Sequence, residues 1–293
     1  MTRGNMSAVS TRLIALVVAL LMVGIAAVSG AFASGERKRE MVRHGDVQID
    51  VIVEGTGPAI VLLPSLARDS EDYDEVASGL AKAGFRVLRP QPRGIGQSKG
   101  PMTNISLHDF ASDIAKAIEA HGNGRAVVVG HAYGNWVARM TAVDYPQLVR
   151  GVVIAAAAAK QYDPKLTVAV TQAGSPELPD EQRLEALRFG FFAPGNDPSN
   201  WLKGWHPQVR GSQRAAVAAV KQSDWWSGGT APLLDLQAAL DPFKPESKRN
   251  EMKDEFGDRV TVMVIPNASH ALIPEQPDAV VKALVSWIKG LPQ

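Results

Sequence analysis

The sequence contains no cysteine. This absence excludes disulfide bonds, thiolate metal sites, a cysteine nucleophile and lipid attachment through cysteine. An excess of one charge is lacking as well, because 31 basic and 30 acidic residues leave a formal net charge of +1. A nearly balanced chain gives no electrostatic reason to expect a nucleic-acid partner. The sequence has 293 residues, of which 45% are apolar and 21% are charged. This composition is typical of globular proteins.

Metal and cofactor patterns are also missing. The six histidines do not cluster with carboxylates at the spacing of metal ligands, and no glycine pattern is present that would cradle a phosphate. We therefore expect neither a metal nor an organic cofactor. The chain shows no internal repeat and no low-complexity linker, which is consistent with one large domain. Nothing in it indicates an oligomeric state.

Residues 1–33 have the layout of an export signal. Arg3 and Arg12 form a basic start, and an apolar run extends from Leu13 to Val28. The small-x-small pattern at 31–33 stands directly before Ser34. We predict cleavage there, a mature domain over 34–293, and a periplasmic or secreted protein without membrane contact. An uncleaved membrane anchor is the alternative, but the run is short for a span of about 20 residues.

Apolar runs alternate with helical patterns from Val47 to the C-terminus. Residues 106–120 and 277–289 carry apolar side chains at helical spacing. Continuous apolar runs, typical of strands buried on both faces, occur at 59–64, 126–130 and 151–157. This alternation predicts an α/β fold in one domain, with a mostly parallel central sheet and helices on both faces.

One long segment, between Ala157 and Pro232, has no clear strand. Its length of about seventy residues is unusual inside a compact domain, and such insertions are commonly functional. It contains four of the six tryptophans: Trp201, Trp205, Trp225 and Trp226. We predict a mainly helical cap at about 160–230. Its tryptophans either line a ligand pocket or hold the cap together.

The segment VVVGHAYGNWVARM, at 127–140, indicates a strand, a tight turn and a helix. Gly130 and Gly134 flank the turn as in the pattern G-x-S-x-G, but Ala132 is at its centre. Three further motifs are present, one before this segment and two after it: RPQPRGIGQSKG at 89–100, LDPFKP at 240–245, and IPNASHALIPEQPDAV at 265–280. With the first, they resemble the motifs of the α/β-hydrolase superfamily from about Val47 onward. The resemblance implies that fold and, less specifically, a hydrolase.

The resemblance also implies roles for individual residues. His270 corresponds to the catalytic histidine and Asp241 to the carboxylate that orients it. Asp235 is a competitor for the acid, but it lies inside a strand pattern. Ala132 occupies the position of the nucleophile and supplies none, because alanine has no lone pair to attack a carbonyl.

An oxyanion hole is expected in outline, because backbone N–H groups form it and survive side-chain changes. The resemblance assigns one donor to Tyr133, directly after the turn centre, and the other to Leu66. Ser65 then lies at the mouth of the site. Its hydroxyl either contributes to substrate binding or bonds to the local backbone, and the second role is the commoner one.

Two explanations of Ala132 stand open, a native alanine and a serine exchanged for alanine. Gln91 stands where members of the superfamily commonly have aspartate, and Pro64-Ser65 stands where they often have His-Gly. The chain thus differs from the superfamily motifs at several positions around one site. This favours a native alanine.

Four hypotheses about function follow. In the first, His270 with Asp241 activates water or deprotonates the substrate over the oxyanion hole. In the second, the chain binds a small molecule without turnover. In the third, Ser65 or Tyr133 takes over as a reactive side chain, and in the fourth the chain is an interaction module without a pocket. We favour the first, with a small, largely apolar substrate that carries a carbonyl or similar electrophile, such as an ester, lactone, epoxide or ketone.

Overall fold

The computed structural model describes Met1 and residues 36–292. Apart from Met1, the predicted export signal at 1–33 and its cleavage site before Ser34 lie outside the described residues. The predicted domain boundary at that point therefore stays a prediction. Within 36–292, no helix combines the length and the hydropathy that a membrane span requires.

Eight strands form one sheet in the described part of the chain. They are β1 (Lys38–His44), β2 (Val47–Glu54), β3 (Ala59–Leu63), β4 (Arg86–Pro90), β5 (Ala126–His131), β6 (Val149–Ala155), β7 (Leu233–Ala238) and β8 (Val260–Ile265). Their order across the sheet is β1-β2-β4-β3-β5-β6-β7-β8. Strand β2 runs antiparallel to β1 and β4, and every other neighbouring pair is parallel.

The helices of the described residues cover both faces of this sheet or lie in the segment between β6 and β7. They are α1 (Asp74–Lys82), α2 (Leu107–His121), α3 (Gly134–Asp144), α4 (Pro164–Ala173), α5 (Asp180–Gly190), α6 (Pro207–Ala218), α7 (Gln222–Trp225), α8 (Glu251–Phe256), α9 (Leu272–Glu275) and α10 (Pro277–Lys289). Helices α2 and α3 pack on one face, and α1 and α10 pack on the other. The predicted fold class is therefore confirmed.

The central strand β3 shows why its sequence reads as one apolar run. Val61 and Leu63 belong to the core under α2 and α3, whereas Ile60 and Leu62 belong to the core under α1 and α10. Successive side chains of a strand point to opposite faces, so a strand covered on both faces needs apolar residues throughout.

Strand β1 was not predicted. It pairs with β2 in an unbroken register from Lys38 opposite Val53 to His44 opposite Val47. Its sequence, KREMVRH, is mostly polar because it forms the sheet edge, where only Val42 of its seven residues is buried. The sheet thus begins before Val47, where the apolar alternation starts.

The segment between β6 and β7 contains no strand among its described residues and carries helices α4 to α7. Trp201 packs in a core of its own with α4 and α5, while Trp225 packs into the core under α3. Trp205 is only half-buried and faces the cavity described below. Trp226 is also buried in the core under α3, so three of the four tryptophans pack in cores and Trp205 lines the cavity.

Candidate active site

The turn after β5, residues 130–134, which we call the elbow, is fixed by steric constraints. Ala132 has a φ of +46°, in the left-handed region that residues other than glycine seldom adopt. A Cβ atom at Gly130 would lie 2.2 Å from the carbonyl oxygen of Gly134, and one at Gly134 would lie 2.6 Å from that of Leu63. Only glycine fits on either side. The spacing of the two glycines is thus a consequence of how tightly α3 is brought back against β3 and β5.

The backbone around Ala132 is held on both sides. Its N–H donates to the carbonyl of Ala155 at 2.9 Å, and its own carbonyl accepts from the N–H of Asn135 at 3.1 Å. The side-chain amide of Asn135 donates to the same carbonyl. A residue held at such an apex presents its side chain to the cavity above the sheet, and here that side chain is a methyl group.

Asp241 and His270 come together above the ends of neighbouring strands. Asp241 follows β7 and His270 follows β8, and since the two strands are parallel, their following loops meet at the same edge of the sheet. His270 Nδ1 lies 3.0 Å from Asp241 Oδ2 and 3.2 Å from Oδ1, and both side chains are buried. A carboxylate at this distance holds a proton on Nδ1, which leaves Nε2 free to accept one.

Two aromatic rings fix the orientation of the His270 imidazole. The ring of Phe243 stacks on it with centroids 4.0 Å apart and an interplanar angle of 28°. Phe191 meets it edge-on at 5.6 Å. The imidazole and the Ala132 methyl group line the same cavity, so a ligand can contact both.

The oxyanion loop, residues 65–68, leaves one backbone donor unused. The N–H groups of residues 65, 67 and 68 donate to the Tyr73 hydroxyl at 3.0 Å, to Gln213 Oε1 at 2.8 Å and to the Ser65 carbonyl at 3.1 Å. The N–H of Leu66 has no acceptor among the described residues. Since Leu66 lines the cavity, a ligand atom in the cavity is the natural acceptor.

A second unused donor belongs to another residue that lines this cavity. The N–H of Tyr133 also lacks an acceptor within 36–292, and it stands at the N-terminus of α3, where the helix dipole favours negative charge. Leu66 and Tyr133 line the same cavity as His270. Two such donors can stabilise an oxygen that gains negative charge in a reaction.

The side chains of Ser65 and Tyr133 differ in what they can do. The Ser65 hydroxyl lines the cavity and makes none of the expected bonds to the local backbone among the described residues. The Tyr133 hydroxyl is buried without a hydrogen-bond partner in that part of the chain, and burial raises the pKa of its phenol. A phenol with a raised pKa and no neighbouring base is a poor nucleophile, which argues against a reactive Tyr133.

The cavity encloses about 760 Å³ of empty space, part of it open to solvent. Its walls are mostly apolar and aromatic, and they include Leu66, Trp136, Tyr162, Val170, Phe191 and Trp205. Arg214 adds a cationic group at the rim. Such a lining suits a small apolar ligand whose polar atoms are few. Within 36–292, no three histidine, aspartate or glutamate side chains are grouped to hold a metal ion.

His131, directly before the turn centre, was not recognised from the sequence. Its Nε2 lies 2.6 Å from the carbonyl oxygen of His270, and its Nδ1 lies 2.8 Å from the Tyr73 hydroxyl. Burial lowers the pKa of His131 to about 3, with a smaller contribution from His270, so the ring is neutral. Neutral His131 therefore donates from Nε2 to His270 and accepts from Tyr73 at Nδ1. The available signal was a histidine that ends an otherwise apolar strand.

Comparisons with known proteins agree with this architecture. A family model described as the alpha/beta hydrolase fold matches residues 58–213. A 2-(acetamidomethylene)succinate hydrolase from Mesorhizobium japonicum is 24% identical over 269 residues, which cover 83% of this chain and 92% of that relative.

Solved structures give the same result for the fold. The crystal structure of an E-2-(acetamidomethylene)succinate hydrolase matches with a TM-score of 0.66 at 22% identity, covering 87% of this chain and 100% of that one. An esterase from Exiguobacterium antarcticum matches with a TM-score of 0.72 at 18% identity, covering 86% and 100%. Because the family model spans more than half of the sequence, the chain belongs to the α/β-hydrolase fold family.

Proposed function

We propose that this protein is an exported enzyme that hydrolyses a small, largely apolar carbonyl compound without a covalent intermediate. One observation carries the proposal: His270, whose Nδ1 lies 3.0 Å from Asp241 Oδ2, lines the same cavity as Leu66 and Tyr133, whose N–H groups have no acceptor within 36–292. With alanine at the elbow, the site keeps the other parts of a serine-hydrolase site: a base, the group that orients it, and an oxyanion hole. These parts alone give measurable catalysis over water in serine hydrolases.

In the proposed reaction, His270 activates a water molecule. Its Nε2 takes one proton of the water while the water oxygen forms a bond to the carbonyl carbon of the substrate. The electron pair of the C=O double bond moves to the carbonyl oxygen, where the N–H groups of Leu66 and Tyr133 stabilise the charge. When the tetrahedral intermediate collapses, the bond to the leaving group breaks and His270 returns its proton to that group. The products are an acid and the released alcohol or amine.

Ala132 suits this route because its methyl group leaves room for the water where a serine hydroxyl would stand. The same base could instead remove a proton next to a ketone, with the oxyanion hole stabilising the enolate. The relative and the structural neighbour whose names include hydrolase or esterase support hydrolysis over this alternative.

Turnover by the chain itself tests the proposal. The purified protein is assayed against a panel of small esters, lactones and amides, beside His270→Ala and Asp241→Asn. We expect turnover that His270→Ala abolishes and that Asp241→Asn reduces by about 10²-fold or more, because the asparagine no longer holds the correct tautomer. Turnover that survives His270→Ala would contradict the mechanism.

A second candidate function is favoured by Ala132 itself, which supplies no nucleophile. The protein would then bind a small apolar molecule in the cavity without converting it, whether the alanine is native or replaces a serine. Calorimetric binding of an unreactive ester analogue, with no product detected over prolonged incubation, would favour this function. Phe243→Ala and Trp205→Ala, which remove cavity walls, should then weaken the binding.

The export signal is the part of the proposal that concerns location. Basic residues, an apolar run and the small-x-small pattern before Ser34 support a periplasmic or secreted protein. Mass spectrometry of the protein recovered from the periplasm should give an N-terminus near Ser34. Recovery of only the full-length chain from the membrane would show that the apolar run anchors the protein.

A further inference from the structure

The cap contacts the oxyanion loop at the residue directly after Leu66. The N–H of Ala67 donates to Oε1 of Gln213, on the cap helix α6, at 2.8 Å. The carbonyl of Ala67 accepts from the N–H of His206, at the start of the same helix, at 2.8 Å. Ala67 is 1% exposed, so neither group can turn to water instead. Both backbone polar groups of this loop residue therefore depend on the cap.

Ala67 needs such external support because its backbone is in an unfavourable conformation. Its φ is +56°, in the left-handed region, where a residue with a Cβ atom is strained by about 1–2 kcal/mol. Such conformations persist only where the surroundings fix them. Here Gln213 and His206 fix Ala67 from the cap.

Arg68 gives the loop a second connection to the cap. Its guanidinium is 1% exposed and donates to the carbonyl of Lys203 at 2.6 Å. It also lies over the rings of Trp201 and Trp205, with 4.5 and 4.8 Å to their centroids. The same guanidinium makes two hydrogen bonds of 2.6 Å to Asp72 in the domain body, so Arg68 joins the C-terminal side of the loop to both the body and the cap.

On its N-terminal side, the same loop is held by the body of the domain. The N–H of Ser65 donates to the hydroxyl of Tyr73, which in turn donates to His131. Leu66 stands between an anchor in the domain body and an anchor in the cap. Its N–H direction is set by the two neighbouring peptide groups, because consecutive peptide planes share a Cα atom.

We propose that Gln213 is a positioning residue of the oxyanion hole, through which docking of the cap directs the Leu66 N–H into the cavity. This inference rests on the proposed function, in which that N–H stabilises the developing oxyanion. Only the acceptor oxygen of Gln213 is required, since its partner is a backbone donor. A glutamate at this position retains an acceptor at the same distance, whereas a methionine of similar size does not.

Kinetics in the Ala132→Ser background test the inference. With p-nitrophenyl acetate, we expect Gln213→Met to lower kcat by about tenfold or more at little change in KM, because a misdirected donor weakens binding of the transition state more than of the substrate. Gln213→Glu should retain kcat within about threefold, a rescue that a purely steric role would not give. Gln208→Met, at an exposed position of the same helix, is the matched control and should equal the parent.

Amide hydrogen exchange tests the same contact without any catalysis. By NMR, the Ala67 N–H should exchange at least about tenfold faster in Gln213→Met than in the parent or in Gln213→Glu. Absence of turnover in the parent would contradict the proposed function, and this exchange decides, independently of that result and of any activity in Ala132→Ser, whether the cap holds the loop. Equal exchange in all variants, or an unchanged kcat in Gln213→Met, would overturn the inference. If Gln213→Met does not fold, Gln213→Asn replaces it in both tests. Its side chain is one methylene group shorter, so its amide oxygen no longer reaches the Ala67 N–H, and the same effects are expected.

Discussion

Lys244 and Asp235 form a buried ion pair beneath the loop that carries Asp241. Lys244 Nζ lies 2.6 Å from Asp235 Oδ2, and the two side chains are 2% and 0% exposed. The N–H of Lys244 also donates to the carbonyl of Asp241 at 3.1 Å. Asp235 is thereby engaged in supporting the loop, and Asp241 is the carboxylate that reaches His270.

Lys244→Met should therefore destabilise the protein, since it leaves a buried carboxylate without its counter-ion. We expect a loss of about 3–5 kcal/mol in the free energy of unfolding, measured by urea denaturation at pH 7. Lys253→Met is the matched control, because Lys253 forms an exposed pair with Asp258 and should change stability by about 1 kcal/mol or less. Equal losses in the two variants would show that burial of the Lys244 pair has no special effect.

Ala132→Ser should create an esterase. The new hydroxyl would stand at the elbow apex, in a cavity lined by a histidine already oriented by Asp241 and by two residues whose N–H groups have no acceptor within 36–292. We expect hydrolysis of p-nitrophenyl acetate well above the parent, and inactivation by an organophosphate that reports an activated serine. Both should disappear in the double variant with His270→Ala. A folded but inert Ala132→Ser would indicate a reshaped cavity, and a slower Ala132→Ser would indicate that the parent needs the space.

Gly130→Ala should be strongly destabilising. The added Cβ would lie 2.2 Å from the Gly134 carbonyl oxygen, and a backbone atom cannot move aside as a side chain can. We expect a loss of about 3 kcal/mol or more in thermal or urea unfolding. Gly211→Ala, in α6, is the control: its Cβ meets nothing within 4 Å, so it should stabilise the protein by up to about 1 kcal/mol. A tolerated Gly130→Ala would mean that the elbow relaxes more easily than its packing indicates.

Acid should destabilise the protein through His131. Its pKa in the folded state is about 3, below the value of 6.5 in the unfolded chain, so below pH 6.5 the unfolded chain binds a proton that the folded chain excludes. The contribution of His131 is complete above pH 6.5 and is lost as pH falls toward 3, with a slope of at most about 1.4 kcal/mol per pH unit.

The comparison of two proteins isolates this slope from the other titrating groups. Urea unfolding is measured from pH 7.5 to 4 for the parent and for His131→Gln, which keeps a donor and an acceptor but does not titrate. With falling pH, the free energy of unfolding should decrease more steeply for the parent than for His131→Gln. The difference in slope should correspond to at most one proton bound on unfolding. Parallel curves would show that His131 protonates without cost in the folded state.

Much of the fold could be predicted from the sequence, because the relevant signals are local. The apolar run at 59–64 predicted β3, and the helical spacing at 277–289 predicted α10 within its observed bounds. The glycines at 130 and 134 predicted the elbow, since their need for close backbone approach involves only a few neighbouring residues. Strand β1 escaped prediction because an exposed edge strand carries no apolar alternation.

The candidate site was predicted in its parts but not in its connections. The sequence by itself determined the order of the motifs, the alanine at 132 and the identities of the candidate base and acid. Only the tertiary structure decided that Asp241 rather than Asp235 faces His270 and that Gln213 supports Ala67. It also decided that Leu66 alone among residues 65–68 has an N–H without an acceptor within 36–292. These facts depend on contacts between residues far apart in the chain, 146 positions for Ala67 and Gln213. Periodicity records which face of an element is buried, but the partner of each buried polar group is set by how the elements pack.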